Sequence, residues 1–111
     1  MKKKLIALPD DLKKAVMVEI QDYIDMLDEY DFDTRNEVGV IFDSKHAYGE
    51  FKYGDAIVNW EAGIAFRIET SYSVGDYLTP SSYDVEEFQA TDIDLLYVSV
   101  ESEEEYIEFE N

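Results

Sequence analysis

Carboxylates are the only chemically versatile side chains that this chain holds in quantity. Its 27 Asp and Glu stand against nine Lys and Arg, a formal net charge of −18 over 111 residues. Two groups have a spacing that lets them act together. Asp22, Asp25 and Glu29 recur at three- and four-residue intervals, which gathers them on one helix face, away from the apolar stripe. Glu86, Glu87, Asp92 and Asp94 fall in a stretch with strand character and line a long strand. A dense, rigid carboxylate array draws in a basic surface over a distance and binds it with strong salt sensitivity. As catalysts, paired acids need dissimilar environments, one of them raising a pKa, and no pair here is set apart in that way. Glu19 differs from the rest because it falls inside the helix's apolar stripe. It is expected at the edge of that stripe, or paired with Arg35, Lys52 or Arg67.

Other chemistries lack their parts. His46, the single histidine, lies in Asp43-Ser44-Lys45-His46, a polar run that reads as a turn, and no nucleophile and orienting group accompany it. Ser71, Ser73, Thr79, Ser81 and Ser82 crowd together without a nucleophile elbow around any of them. Asp31-Phe32-Asp33-Thr34-Arg35 begins like a calcium loop. Arg35, Asn36 and Phe42 then occupy the places that need an oxygen ligand, a glycine and a glutamate. The five glycines are isolated and build no phosphate loop. Without cysteine there is no disulfide, thiolate site or Cys nucleophile. No catalytic residue, cofactor or metal site is therefore expected, and the chain reads as a non-enzyme.

The charge is polarised. Lys2, Lys3, Lys4, Lys13 and Lys14 precede residue 15, and 13 carboxylates follow Arg67 without one basic residue among them. Small domains usually carry a net charge of roughly 2–8, so this surplus exceeds what solubility needs and costs stability through self-repulsion. Direct nucleic-acid binding relies on Lys and Arg at phosphates and is disfavoured, as is an anionic membrane. The run Leu5-Ile6-Ala7-Leu8 after the lysines mimics a signal peptide but stops at Pro9, short of the roughly 7–15 apolar residues required. A cytoplasmic protein is expected.

These residues must be positioned by one domain, 1–111, with a helix over about 10–30 and strands from about 37 to 110. Pro9-Asp10-Asp11 starts the helix, with Asp10 as cap. Leu12, Ala15, Val16, Ile20, Tyr23, Leu27 and Tyr30 form its apolar stripe. Lys13 and Lys14 near its start and Asp28 and Glu29 near its end oppose the macrodipole. Period-two alternation then sets in: Val38 to Phe42, Tyr48 to Tyr53, a hairpin at Gly54-Asp55, Ile57 to Trp60, and a turn or bulge at Gly63. A long strand from Ile64 to Tyr72, a loop over 73–84 and a strand from Phe88 to Ser99 with a bulge near Thr91-Asp92 follow. A turn over Glu101 to Glu105 and a short edge strand at Tyr106, Ile107 and Phe109 close the chain. The expected fold is α+β: an N-terminal amphipathic helix packed on an antiparallel meander of five or six strands.

The tyrosine-rich strand from Ile64, the loop Gly75-Asp76-Tyr77-Leu78-Thr79-Pro80 and the strand Phe88 to Val100 resemble small acidic proteins of bacteriophages and integrated elements of gut bacteria. That resemblance carries over no catalytic residue. The expected function is an acidic protein-interaction module that occupies a basic surface of a host or element protein, in its sharpest form as a nucleic-acid mimic. The alternative is a structural or accessory protein of a phage or mobile element, oligomeric through a sheet edge, whose acidity serves only solubility. Halophilic adaptation is a further, non-functional source of the charge.

Overall fold

Alternation in the C-terminal two-thirds runs much further than ordinary strands do. In the computed structural model, which describes residues 3–110, β2 spans Gly39–Tyr53, β3 Ala56–Ser73 and β4 Ser82–Glu101. Their 15, 18 and 20 residues compare with the usual 3–10 or so. Two short strands, β1 (Lys3–Ala7) and β5 (Tyr106–Glu110), complete one sheet in the order β1-β5-β4-β3-β2. β2 to β5 are antiparallel to their neighbours, whereas β1 runs parallel to β5. The molecule is a rod of 64 × 23 × 21 Å, with a radius of gyration of 18.8 Å, against about 13 Å for a compact domain of this length.

The fold is α+β with one α-helix, α1, over Asp10–Asp25. Three expectations about the N-terminal third are corrected. The run read as a signal-like start is strand β1, so the helix is the second element; backbone pairing with β5 gives this short apolar run a partner. Pro9, not Asp10, is the N-cap, and no side chain caps it. Proline fits there because its fixed φ suits helix entry and its missing N–H needs no acceptor. The helix stops at Asp25, so Leu27, Asp28, Glu29 and Tyr30 lie beyond it. Glu29–Asp31 form a 3-10 turn, held by the Asp28 carboxylate accepting from Tyr30 N (2.9 Å) and the Asp31 carboxylate accepting from Asp28 N (2.8 Å). Tyr30, expected in the apolar stripe, is 87% exposed.

The expected antiparallel meander of five or six strands has four, because the segments on either side of Asp43–His46 merge into β2 and those on either side of Gly63 merge into β3. Asp43 to His46 is no turn, because β2 passes straight through it and the Asp43, Lys45 and His46 side chains find strand-compatible partners. Asp43 meets Arg35 at 3.0 Å, the Lys45 ammonium lies 4.9 Å from the Phe32 ring centroid, and His46 Nε2 is 3.1 Å from Glu61. Gly63 likewise pairs with His46 and Asp94 in mid-strand and makes no turn. The Gly54-Asp55 hairpin forms as the sequence implies, with Gly54 at φ +63°. The loop contracts to residues 74–81, where the Asp76 carboxylate accepts from Leu78 N and Thr79 N at 2.7 and 2.8 Å.

One face of the sheet carries the core. Val58, Trp60, Ala62, Ile64, Phe66 and Ile68 alternate along β3, each at most 4% exposed. Leu12, Val16 and Ile20 of α1 join them, and Phe32 packs edge-on against Phe66, with centroids 5.0 Å apart. Each large apolar side chain buried in this way contributes roughly 1.5–3 kcal/mol. Glu19 is half-buried at the stripe's edge, and the arginines considered for it pair elsewhere, Arg35 with Asp43 and Arg67 with Glu69. Among the described residues, no helix is long and apolar enough to cross a membrane.

Candidate acidic interaction surface

β4 places most of the candidate acids, and its spacing explains how. Its core-facing residues are Val85, Phe88, Ala90, Ile93, Leu95, Val98 and Val100, separated by three, two, three, two, three and two positions. Each three-residue step is a bulge: Glu86, Thr91 and Leu96 have no partner in the register with β3. A bulge adds one residue to the outside of the strand without moving the next core residue off its face. Glu86-Glu87 and Thr91-Asp92 are therefore exposed pairs where strict alternation would bury one member. One of the three bulges, at Thr91, coincides with the slip visible in the sequence.

β5 covers β4 only from Val98 to Glu101, so the remainder of β4 is an open edge with the helix layer beside it. Three shallow clefts run along that edge. Asp28, Glu29 and Tyr30 share the first with Val85 to Phe88. Gln21, Asp25 and Leu27 share the second with Phe88, Gln89 and Ala90. Asp10, Lys13 and Met17 share the third with Ile93, Asp94 and Leu95. Glu29, Glu86 and Glu87 thus line one cleft, with the side chains of Glu86 and Glu87 turned to the sheet face away from the helix beside Ser71 and Glu69; Asp25 lines the next cleft, and Asp94 and Lys13 line the third. Asp92 faces away from the helix, as the cross-strand partner of Ala65. Asp22 is exposed on the helix and lines none of the three clefts. Asp22, Asp25 and Glu29 do not form the single helix face expected of them, because the helix ends before Glu29.

Local hydrogen bonds hold several of these acids in place. Ser71 Oγ donates to Glu86 Oε1, and Ser82 Oγ donates to Asp84 at 3.0 Å. Glu87 is the direct partner of Glu69, whose carboxylate meets Arg67 at 2.7 Å. Asp28, Glu69 and Asp84 belong to this surface and were not singled out in the sequence. For Asp28 a signal was present: Asp28 and Asp31 stand at the three-residue spacing of reciprocal capping.

A second polar group lies on the face away from the helix. The Tyr97 and Tyr106 hydroxyls are hydrogen-bonded to each other and lie 3.2 and 3.1 Å from Glu108 Oε1, so that one phenol donates to the other and the second donates to the carboxylate. The bond to Tyr97, with desolvation second, pushes the Tyr106 phenol up to about 12. Among the described residues, no cluster of three or more His, Cys, Asp or Glu is arranged to hold a metal ion.

No protein-family model, no curated protein and no solved structure matches this chain.

Proposed function

We propose that the protein is a non-enzymatic acidic interaction module whose β4 edge docks on a basic surface of another protein. The observation that carries this reading is that acids from two layers of the fold meet the same stretch of the β4 edge: Glu29 lines one cleft with Glu86 and Glu87, whose side chains turn to the sheet face away from the helix. β4 itself holds Asp84, Glu86, Glu87, Asp92, Asp94 and Glu101 and no basic residue. The rod shape supports the sharper form of the reading, nucleic-acid mimicry. Eighteen net charges along 64 Å amount to one per about 3.6 Å. A single DNA strand presents one per 3.4 Å or so, and a duplex twice that density. By this measure the channel of a single-strand-binding protein is a better match than a duplex cleft. In the setting implied by the resemblance to phage and mobile-element proteins, that partner is a host or element protein.

The test is binding to a panel of basic nucleic-acid enzymes at low and high salt, with single-stranded and duplex DNA as competitors. Affinity should fall steeply with salt, and single-stranded DNA should displace the protein. Glu29→Gln, Glu86→Gln and Glu87→Gln together should weaken binding and flatten its salt dependence. Affinity that ignores salt would refute the reading.

A further inference from the structure

The two long edges of the sheet are built differently. The β4 edge is broken by three bulges and carries five acids, Asp84, Glu86, Glu87, Asp92 and Asp94. Bulges and unbalanced charge are the means by which exposed edges avoid pairing with another strand. β2, at the opposite edge, matches β3 through 15 consecutive positions without a register shift, and among the described residues its only sheet neighbour is β3. Its charges cancel, with Asp43 and Glu50 against Lys45 and Lys52. Val40, Phe42 and Tyr48 stand exposed on its face away from the helix, at 46%, 66% and 74%. In a chain of net charge −18, this is the long strand whose own charges do not add to the repulsion of a second copy.

We propose that β2 is a homodimerisation edge, at which two copies pair antiparallel through residues 39–49 about a twofold axis at Ser44. Such an axis stands perpendicular to the sheet, so facing side chains share a face and each contact occurs twice. On the helix side this register sets Asp43 against Lys45 of the other copy, Ile41 against Ala47, and Gly39 against Gly49. On the other side it sets Val40 against Tyr48 and Phe42 against His46. Both opposite-charge pairs are satisfied while the exposed apolar residues cover one another. A shift of the axis by one residue to either side would set Asp43 against Asp43 or Lys45 against Lys45. The two β4 edges then lie outermost, which keeps the strongest like charges of the copies apart.

Sedimentation equilibrium from low micromolar to near-millimolar concentration tests this. A monomer–dimer equilibrium is expected. Asp43→Lys or Lys45→Asp alone should raise the dissociation constant at least about tenfold, because each replaces two attractive pairs with two repulsive ones. The two substitutions combined restore the pairs and should return the constant close to that of the parent. Phe42→Lys, which leaves Arg35 and Phe32 with their partners, should also dissociate the dimer, and circular dichroism checks that each variant is folded. Raising salt should tighten the dimer by screening the net repulsion of two acidic copies, the opposite of its effect on a basic partner. A monomer throughout, or charge variants whose dissociation does not follow the swap-and-restore pattern, would overturn the proposal.

Discussion

Glu69 on β3 and Glu87 on β4 are direct cross-strand partners whose side chains share the face opposite the helix. Like charges so placed destabilise an antiparallel pair by a few tenths to about 1 kcal/mol. Arg67, at 2.7 Å from Glu69, offsets part of that cost. A charge kept at the expense of stability is expected where it serves a partner. Glu87→Gln should therefore stabilise the fold by about 0.2–1 kcal/mol and weaken binding to a basic surface. Urea denaturation and a binding titration on the same sample would check both halves. A loss of stability would show that the carboxylate is structural.

The self-repulsion of the whole surface makes a second expectation. Because the net charge is −18, screening should favour the folded state, whose charges are closer together than those of the unfolded chain. Stability should rise with sodium chloride and level off once the Debye length falls below the spacing of neighbouring carboxylates, near 3 Å at about 1 M. Continued steep gain in stability into multimolar salt would point instead to halophilic adaptation.

Trp60 and Gly49 make a third. They are cross-strand partners, and the indole covers the glycine so closely that a Cβ there would meet Trp60 Cζ2 at 2.8 Å. Trp60 is only 4% exposed, which leaves the ring little room to retreat. Gly49→Ala gains about 0.4–1 kcal/mol from a less flexible unfolded chain, but overpacking costs about 1–3 kcal/mol. Net destabilisation is expected, together with a change in the emission of the only tryptophan. Trp60→Phe should relieve part of the loss, so a thermal-melt cycle of the two substitutions should be non-additive.

Legibility followed the reach of each signal. The amphipathic stripe Leu12-Val16-Ile20 and the Gly54-Asp55 hairpin are local patterns with one physical cause each, and both appear in the structure. The N-terminal strand was not legible, because its partner lies a hundred residues away at Tyr106–Glu110. Asp43 to His46 looked like a turn since polarity alone cannot reveal Arg35, Phe32 and Glu61 waiting beside a strand. The bulges of β4 were in principle readable: Val85, Phe88, Ala90, Ile93, Leu95 and Val98 keep a five-residue repeat that strict alternation does not produce. Grouping Glu29 with Glu86 and Glu87 requires the helix to end at Asp25, a boundary that the apolar spacing through Leu27 and Tyr30 conceals.

Tyr106 makes a prediction at the alkaline end. Its phenol is pushed up to about 12, first by its hydrogen bond with Tyr97 and then by desolvation, while in the unfolded chain it titrates near 10. Between those values the unfolded chain has lost the proton that the folded protein keeps, so the folded state binds more protons and stability falls as pH rises. The contribution is fully present below about pH 10 and lost on passing through about 12. Tyr106→Phe removes this titration, and its stability should decline less steeply over the same window, although it also loses the bonds to Tyr97 and Glu108. Denaturation midpoints at closely spaced alkaline pH, with tyrosinate absorbance followed in parallel, separate the two effects. Loss of the bonds lowers the whole curve, and loss of the titration changes its slope. Identical slopes in parent and variant would mean that the Tyr97–Tyr106–Glu108 cluster does not hold its proton as the geometry implies.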